Sequence, residues 1–189
     1  MLLLMPVAGF GYGIEAGRSS GLGGAVLLTD PTASDLLTCP FARFPDRRLV
    51  LESGFIRRFE LSDLDEIYVA GGYRLRRYSV MLGLSQLGRS DYYTERLLKG
   101  VVAAAVDPAT IGIFISGKLV EFGNHASSFH AVSFGLTAGL EYSRYHFGFV
   151  ADNINRPKIA ANGSPDLRRL SFYLELEGPS RYSICGRLA

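Results

Sequence analysis

The sequence predicts an all-β chain, an antiparallel up-and-down transmembrane β-barrel with about eight to ten strands of roughly ten residues each. Three observations predict it. Segment after segment alternates with period two between a large apolar face and a face of small, polar or charged residues. Hydrophobic residues make up 48% of the 189, yet no run of about 18 apolar residues occurs, which excludes helical membrane spans. Short turns also alternate with long links along the chain, the rhythm of periplasmic turns and extracellular loops.

The clearest segment is 131–142. Val132, Phe134, Leu136, Ala138, Leu140 and Tyr142 form one face against Ala131, Ser133, Gly135, Thr137, Gly139 and Glu141. A helical period would mix valine and leucine with two glycines and a serine. After Ser143 and Arg144, Tyr145, Phe147, Phe149 and Ala151 face one way, and His146, Gly148, Val150 and Asp152 the other, so the two segments form a tight hairpin. The polar face is thin for the outer surface of a soluble sandwich, but glycine and small polar residues suit a barrel lumen.

In chain order, 1–13 resembles the apolar half of a secretory signal without its basic start. Gly21, Gly23 and Gly24 lack the GKS or GKT and the preceding strand of a phosphate loop, so they read as sites of close backbone packing. Thr29 or Asp30, with Pro31 at the first helical position, predicts a short helix through Leu37.

Strand segments follow at 47–59, with Leu49, Leu51 and Phe55 opposite Glu52 and Gly54, and at 64–76, with Ile67, Val69, Tyr73 and Leu75 opposite Glu66, Ala70, Gly72 and Arg74. A third, 78–85, sets Tyr78, Val80, Leu82 and Leu84 against Ser79, Met81, Gly83 and Ser85. Segment 95–106 has the propensity of a short helix as well, and its place in the series makes it a strand. Past the turn at 107–109, Ile111, Ile113, Ile115 and Leu119 alternate with Gly112, Ser116 and Lys118. After the hairpin, Leu170, Phe172, Leu174 and Leu176 oppose Ser171, Tyr173, Glu175 and Glu177, and a Gly178–Pro179 turn leads to a last segment with Tyr182 and Ile184.

Short turns at 76–77, 107–109, 143–144 and 178–179 alternate with longer links at 59–65, 88–94, 123–129 and 153–167. Tyr68, Tyr73, Tyr78, Tyr92, Phe122, Phe129, Tyr142, Tyr145, Tyr173 and Tyr182 fall near segment ends, where interfacial rings belong. The apolar faces carry essentially no charge; near the membrane midplane an arginine or lysine there would cost about 2 to 4 kcal/mol. Charge falls on the other face, which makes Glu52, Arg74, Lys118, Glu141 and Asp152 the lumen-facing candidates, expected to neutralise one another.

A net charge of +2 without a basic block gives no footprint for nucleic acid. Cys39 and Cys185 lack metal-ligand spacing, nothing in the sequence brings them together, and no cofactor or metal is expected. His130 and Ser133 lie beside one link, with His125, Ser127 and Ser128, but there is no GxSxG, so a lipid-hydrolase reading ranks below a non-enzymatic one. A soluble β-sandwich or small-ligand-binding β-barrel is the alternative architecture.

Arg18, Ser19, Gly21, Gly23, Gly24 and Ala25, then Asp30, then Cys39, Pro40, Phe41 and Ala42 resemble the opening of the PorV and FadL-type outer-membrane barrels. There a GGA stretch precedes an acidic turn and an Asn-Pro-Ala motif, for which this chain has Cys-Pro-Phe. The run 150–157, VADNINRP, is similar to the family's strand closing on Asn followed by Pro. The resemblance implies an N-terminal plug or hatch over 14–45, after a signal remnant at 1–13 and before a barrel over 46–189, with Gly23, Gly24, Asp30 and Pro40 as the plug and turn motif. It further implies the outer membrane of a Gram-negative-type bacterium, lipid as partner, and either passage of hydrophobic small molecules or service to exported proteins. Family barrels are larger and end on an aromatic, so this chain reads as a partial or shortened member.

Overall fold

A computed structural model describes residues 28, 31–42, 44–46, 48–57, 65–89, 93–123, 128–158, 168–176 and 182–188. The expected signal remnant, Gly23, Gly24, Asp30, Tyr92, His125, Ser127 and the Gly178–Pro179 turn lie outside these residues.

Among the described residues, nine strands follow one short helix: α1 (Ala33–Thr38), β1 (Leu49–Arg57), β2 (Asp65–Leu75), β3 (Tyr78–Arg89), β4 (Tyr93–Val106), β5 (Ala109–Phe122), β6 (Ser128–Tyr142), β7 (Tyr145–Asp152), β8 (Arg169–Leu176) and β9 (Tyr182–Leu188). They form one sheet in the order β1 to β9, every neighbour antiparallel, so the chain is an up-and-down meander without a crossover. Among the described residues the ladder series does not close, and β1 and β9 are its two edges. Segment 95–106 is a strand, for all its alanine and leucine, because β4 has ladder partners along both sides.

The strands run longer than their apolar alternation indicates. β3 extends to Arg89 and β4 starts at Tyr93, which shrinks the expected 88–94 link to three residues, and β6 takes in Phe129 and His130. The ladder continues there because polar side chains satisfy the rim: Arg57 bonds Asp65 at 3.1 Å, and Arg96 reaches Gln86 at 3.2 Å and Glu121 at 3.4 Å. Alternation of hydrophobicity ends where the rim begins, but backbone pairing does not.

The helix also differs from expectation. Its N-cap is Thr32, not Thr29 or Asp30, and Pro31 precedes the cap instead of opening the first turn. Thr32 and Asp35 form a capping box, with the Asp35 carboxylate accepting from the Thr32 amide at 3.0 Å and the Thr32 hydroxyl from the Asp35 amide at 3.3 Å. That reciprocal pair outcompetes a proline at the first helical position, since it satisfies two otherwise orphaned donors.

One face of the sheet is covered and the other bare. α1 rests on β1 to β4, and the segment after it carries Phe41 onto β6, β7 and β8. Ser34 is bonded to Glu52 of β1, and Phe41 meets Tyr173 of β8 at 5.6 Å. With contacts to both ends of the sheet and Leu28, Leu36, Leu37 and Cys39 fully buried, residues 28, 31–42 and 44 lie inside the curl of the sheet. Cys39 is in no disulfide among the described residues.

Candidate functional site

By strand alternation, the outward positions from Leu49 to Phe55, Ile67 to Leu75, Tyr78 to Leu84, Leu98 to Val106, Ile111 to Leu119, Val132 to Tyr142, Tyr145 to Ala151 and Leu170 to Leu176 are all apolar, aromatic or glycine, save Ser53. Their large side chains lie open, with Leu51 at 75%, Ile113 at 61% and Tyr142 at 72% of full exposure. A soluble monomer rarely leaves a contiguous apolar patch above a few hundred Å². The outward ion pairs Arg57–Asp65 and Arg96–Glu121 stand at the long-link rim. At that rim Phe122 also packs on Tyr93 and Phe129, with ring centres 5.6 and 6.1 Å apart.

The interior is the reverse. Glu66, Lys99, His146 and Glu175 are buried there, along with Ser85, Ser133, Thr137 and Ser171. Charged groups in such a place need partners, and the partners come from the wall and from the segment it encloses.

Glu52 is the main anchor. One carboxylate oxygen accepts from the Ser34 amide at 2.9 Å and the Ser34 hydroxyl at 2.8 Å, while the other accepts from the Tyr68 hydroxyl at 2.8 Å. Tyr68 reaches it because its register partner is Gly54, where any Cβ would collide with the tyrosine ring. Tyr68 is thus buried in mid-strand and points inward, and so does Tyr173; both were expected among the interfacial rings. Their hydroxyl-bearing rings serve the interior instead, where alternation places them on the face of Glu66 and Glu175.

On the opposite wall, Glu175 accepts a hydrogen bond from the Leu28 amide. Gly139 and Gly148 face each other across the β6–β7 ladder, and Gly148 pairs onward with Tyr173. The Phe41 ring lies on this bare backbone; a Cβ on Gly139 would stand 2.5 Å from the Phe41 Cβ, and one on Gly148 would overlap the ring. The two glycines and Tyr173 make a socket for one aromatic side chain.

The five expected lumen residues all take interior parity, yet they do not form one network. Glu52 takes its bonds from neutral donors of the enclosed segment and the wall. Lys118 bridges to Glu95 at 2.9 Å, which also accepts from the Tyr93 hydroxyl at 2.7 Å. Asp152 accepts from the Asn153 amide at 2.7 Å. Arg74 and Glu141 sit at the short-turn mouth, around a cleft of about 320 Å³ that Pro40, Phe41, Arg77 and Asp107 also line.

Lys99 was missed by the sequence reading. Its ammonium sits 4.1 Å from the centre of the Phe114 ring, a cation–π contact inside the sheet. The signal was available once 95–106 is taken as a strand, because Lys99 then shares the parity of Glu95. Ser133 and His130 lie on opposite faces of β6, so they do not come together as a nucleophile and base. Among the described residues no helix is long and apolar enough to cross a membrane, which says nothing about strands. Nor is there a group of three or more metal-ligating side chains among them. Comparison with protein families, curated proteins and solved structures finds no match to this chain.

Proposed function

We propose that this chain is a non-enzymatic outer-membrane β-barrel protein whose N-terminal segment is a plug, related in kind to the PorV and FadL-type barrels. One observation carries the reading: eight adjacent strands expose an uncharged apolar band, while ionisable residues line the enclosed face. Water would favour the opposite arrangement, and a bilayer favours this one. Tyr73, Tyr78, Tyr142 and Tyr145, outward and exposed at the short-turn end, supply an aromatic girdle there.

Lipid cannot satisfy an open strand edge, so the sheet closes in the membrane. With residues 28, 31–42 and 44 inside the sheet, the plugged state offers no wide aqueous pore. The role is then passage of a hydrophobic molecule, or anchorage of an exported protein, with the plug as the movable part.

Fractionation of cells expressing the chain behind an export leader tests this directly. The expected result is an outer-membrane band whose gel mobility in detergent shifts on heating. A soluble, β-rich protein that needs no detergent overturns the membrane reading and makes the charged interior a ligand cavity.

A further inference from the structure

We infer that the cleft at the short-turn mouth binds a small zwitterion, a short peptide with both termini charged, which bridges the sheet and the segment it encloses. The inference does not depend on whether the apolar band faces lipid. Charges of both signs line this cleft of about 320 Å³: Arg74 and Arg77 come from β2 and the turn after it, Asp107 and Glu141 from the β4–β5 turn and β6. Four strand positions separate Arg74 from Glu141. Asp46, His146 and Tyr78 complete the ionisable lining. Among the described residues Arg74, Arg77, Asp46 and Asp107 make no ion pair, although opposite charges share the one cleft.

Three hydrogen bonds fix the rim. The Ala105 amide donates to the Arg77 carbonyl at 2.7 Å, the Glu141 amide to the Pro108 carbonyl at 2.9 Å, and the Arg74 Nε to the Arg76 carbonyl at 3.3 Å. Cations and carboxylates are thus held in place around the cleft, and a guest carrying both signs meets both sets already ordered. A guanidinium takes a carboxylate through charge-assisted, bidentate bonds, and a carboxylate takes an ammonium. Among the described residues the carboxylates are not gathered into a metal-ligating group, so an ammonium suits them better than a metal ion. The volume stands at the low end of ligand sites, which keeps the guest small. Pro40, Phe41 and Phe44, covered side chains of the enclosed segment, give the lining its apolar part and take an aliphatic side chain. A bound peptide touches sheet and segment together, so it favours the state in which they are joined.

The full chain is titrated by calorimetry with alanyl-leucine, whose two ends are charged, and with N-acetyl-alanyl-leucine and alanyl-leucine amide, each lacking one charge. The zwitterion is expected to bind saturably and about ten-fold more tightly than either blocked form. Arg77→Met and Asp107→Asn, both at exposed turn positions, each weaken it about ten-fold. In a Cys185→Ser background, free alanyl-leucine at about ten times its dissociation constant slows maleimide labelling of Cys39 about ten-fold. No saturable binding, equal affinity for the three peptides, or an affinity unchanged in both variants overturns the site. Binding that leaves the Cys39 rate unchanged overturns the bridge to the enclosed segment.

Discussion

Ser34 and Glu52 are joined twice, amide and hydroxyl both donating to one carboxylate oxygen at 2.9 and 2.8 Å. The contact ties the enclosed helix to the first strand of the sheet, and the Tyr68 hydroxyl occupies the remaining carboxylate oxygen. Among the described residues, the carboxylate here holds the enclosed segment through directed neutral donors.

Removing that carboxylate should loosen the segment. In Glu52→Ala the Ser34 amide and the Tyr68 hydroxyl lose their acceptor inside the sheet, a loss of about 1 to 3 kcal/mol. The unfolding midpoint in detergent falls, and Glu52→Gln recovers part of the difference because its carbonyl still accepts. Equal midpoints for Glu52→Ala and the parent would show that the segment is held elsewhere.

The Phe41 socket makes an opposite kind of test, adding bulk instead of removing a bond. Gly148→Leu drives a side chain into the space of the Phe41 ring, which rigid neighbouring strands cannot yield. The enclosed segment should be displaced and, on the membrane reading proposed above, ion conductance across a planar bilayer should rise above that of the parent protein. Pairing Gly148→Leu with Phe41→Ala relieves the overlap, so the folding defect of the single variant should shrink in the double variant.

Cys39 reports the same event chemically. Its thiol is fully buried in the parent and reaches solvent only if the segment leaves the sheet. In a Cys185→Ser background, a maleimide reagent should label the folded parent slowly and the Gly148→Leu protein at least several-fold faster. Equal slow rates would show that Gly148→Leu leaves the segment in place, and equal fast rates would place the thiol at the surface in both.

The Lys118–Glu95 bridge joins β4 and β5 inside the sheet, both side chains largely covered. Lys118→Met strands the Glu95 carboxylate with only the Tyr93 hydroxyl of these two bonds, costing on the order of 1 to 3 kcal/mol. The exchanged pair Lys118→Glu with Glu95→Lys should be more stable than either single change. Additive effects in that double-mutant cycle would show the two side chains to be independent.

The apolar exterior is the feature most readily challenged. Ile115→Arg places a charge at the middle of the exposed band and should destabilise the membrane-inserted protein by about 2 to 4 kcal/mol. Tyr142→Arg, at the rim, should cost about 0 to 1 kcal/mol. Refolding titrations into lipid vesicles measure both; two near-zero effects would match a surface facing water.

The all-β class and the facing of most strand residues were readable from the chain because each depends on period two, and the antiparallel up-and-down order because short turns return the chain beside itself. Val132 to Tyr142 declares its own faces, and Ser143 and Arg144 leave room for nothing but a tight return. Strand ends were less legible. At Arg57, Arg96 and Glu121 the apolar pattern stops while backbone pairing continues, held by side chains from neighbouring strands that no local window contains. The helix start moved for a local reason that the residues do carry, since Thr32 and Asp35 satisfy each other's amides better than Pro31 could.

What tertiary structure alone decided is what the interior does. Alternation marks Glu52, Lys118 and Asp152 as sharing a face, and from that one expects mutual neutralisation. Contact across 18 residues assigns Glu52 to Ser34 instead, and contact across 147 assigns Glu175 to Leu28. Gly139 and Gly148 look like ordinary small lumen residues until the curl of the sheet brings Phe41 onto them. Hydrophobic period is local and survives in any sequence window, whereas the choice of partner for a buried carboxylate or an aromatic ring depends on how far a nine-stranded sheet bends around the segment it encloses.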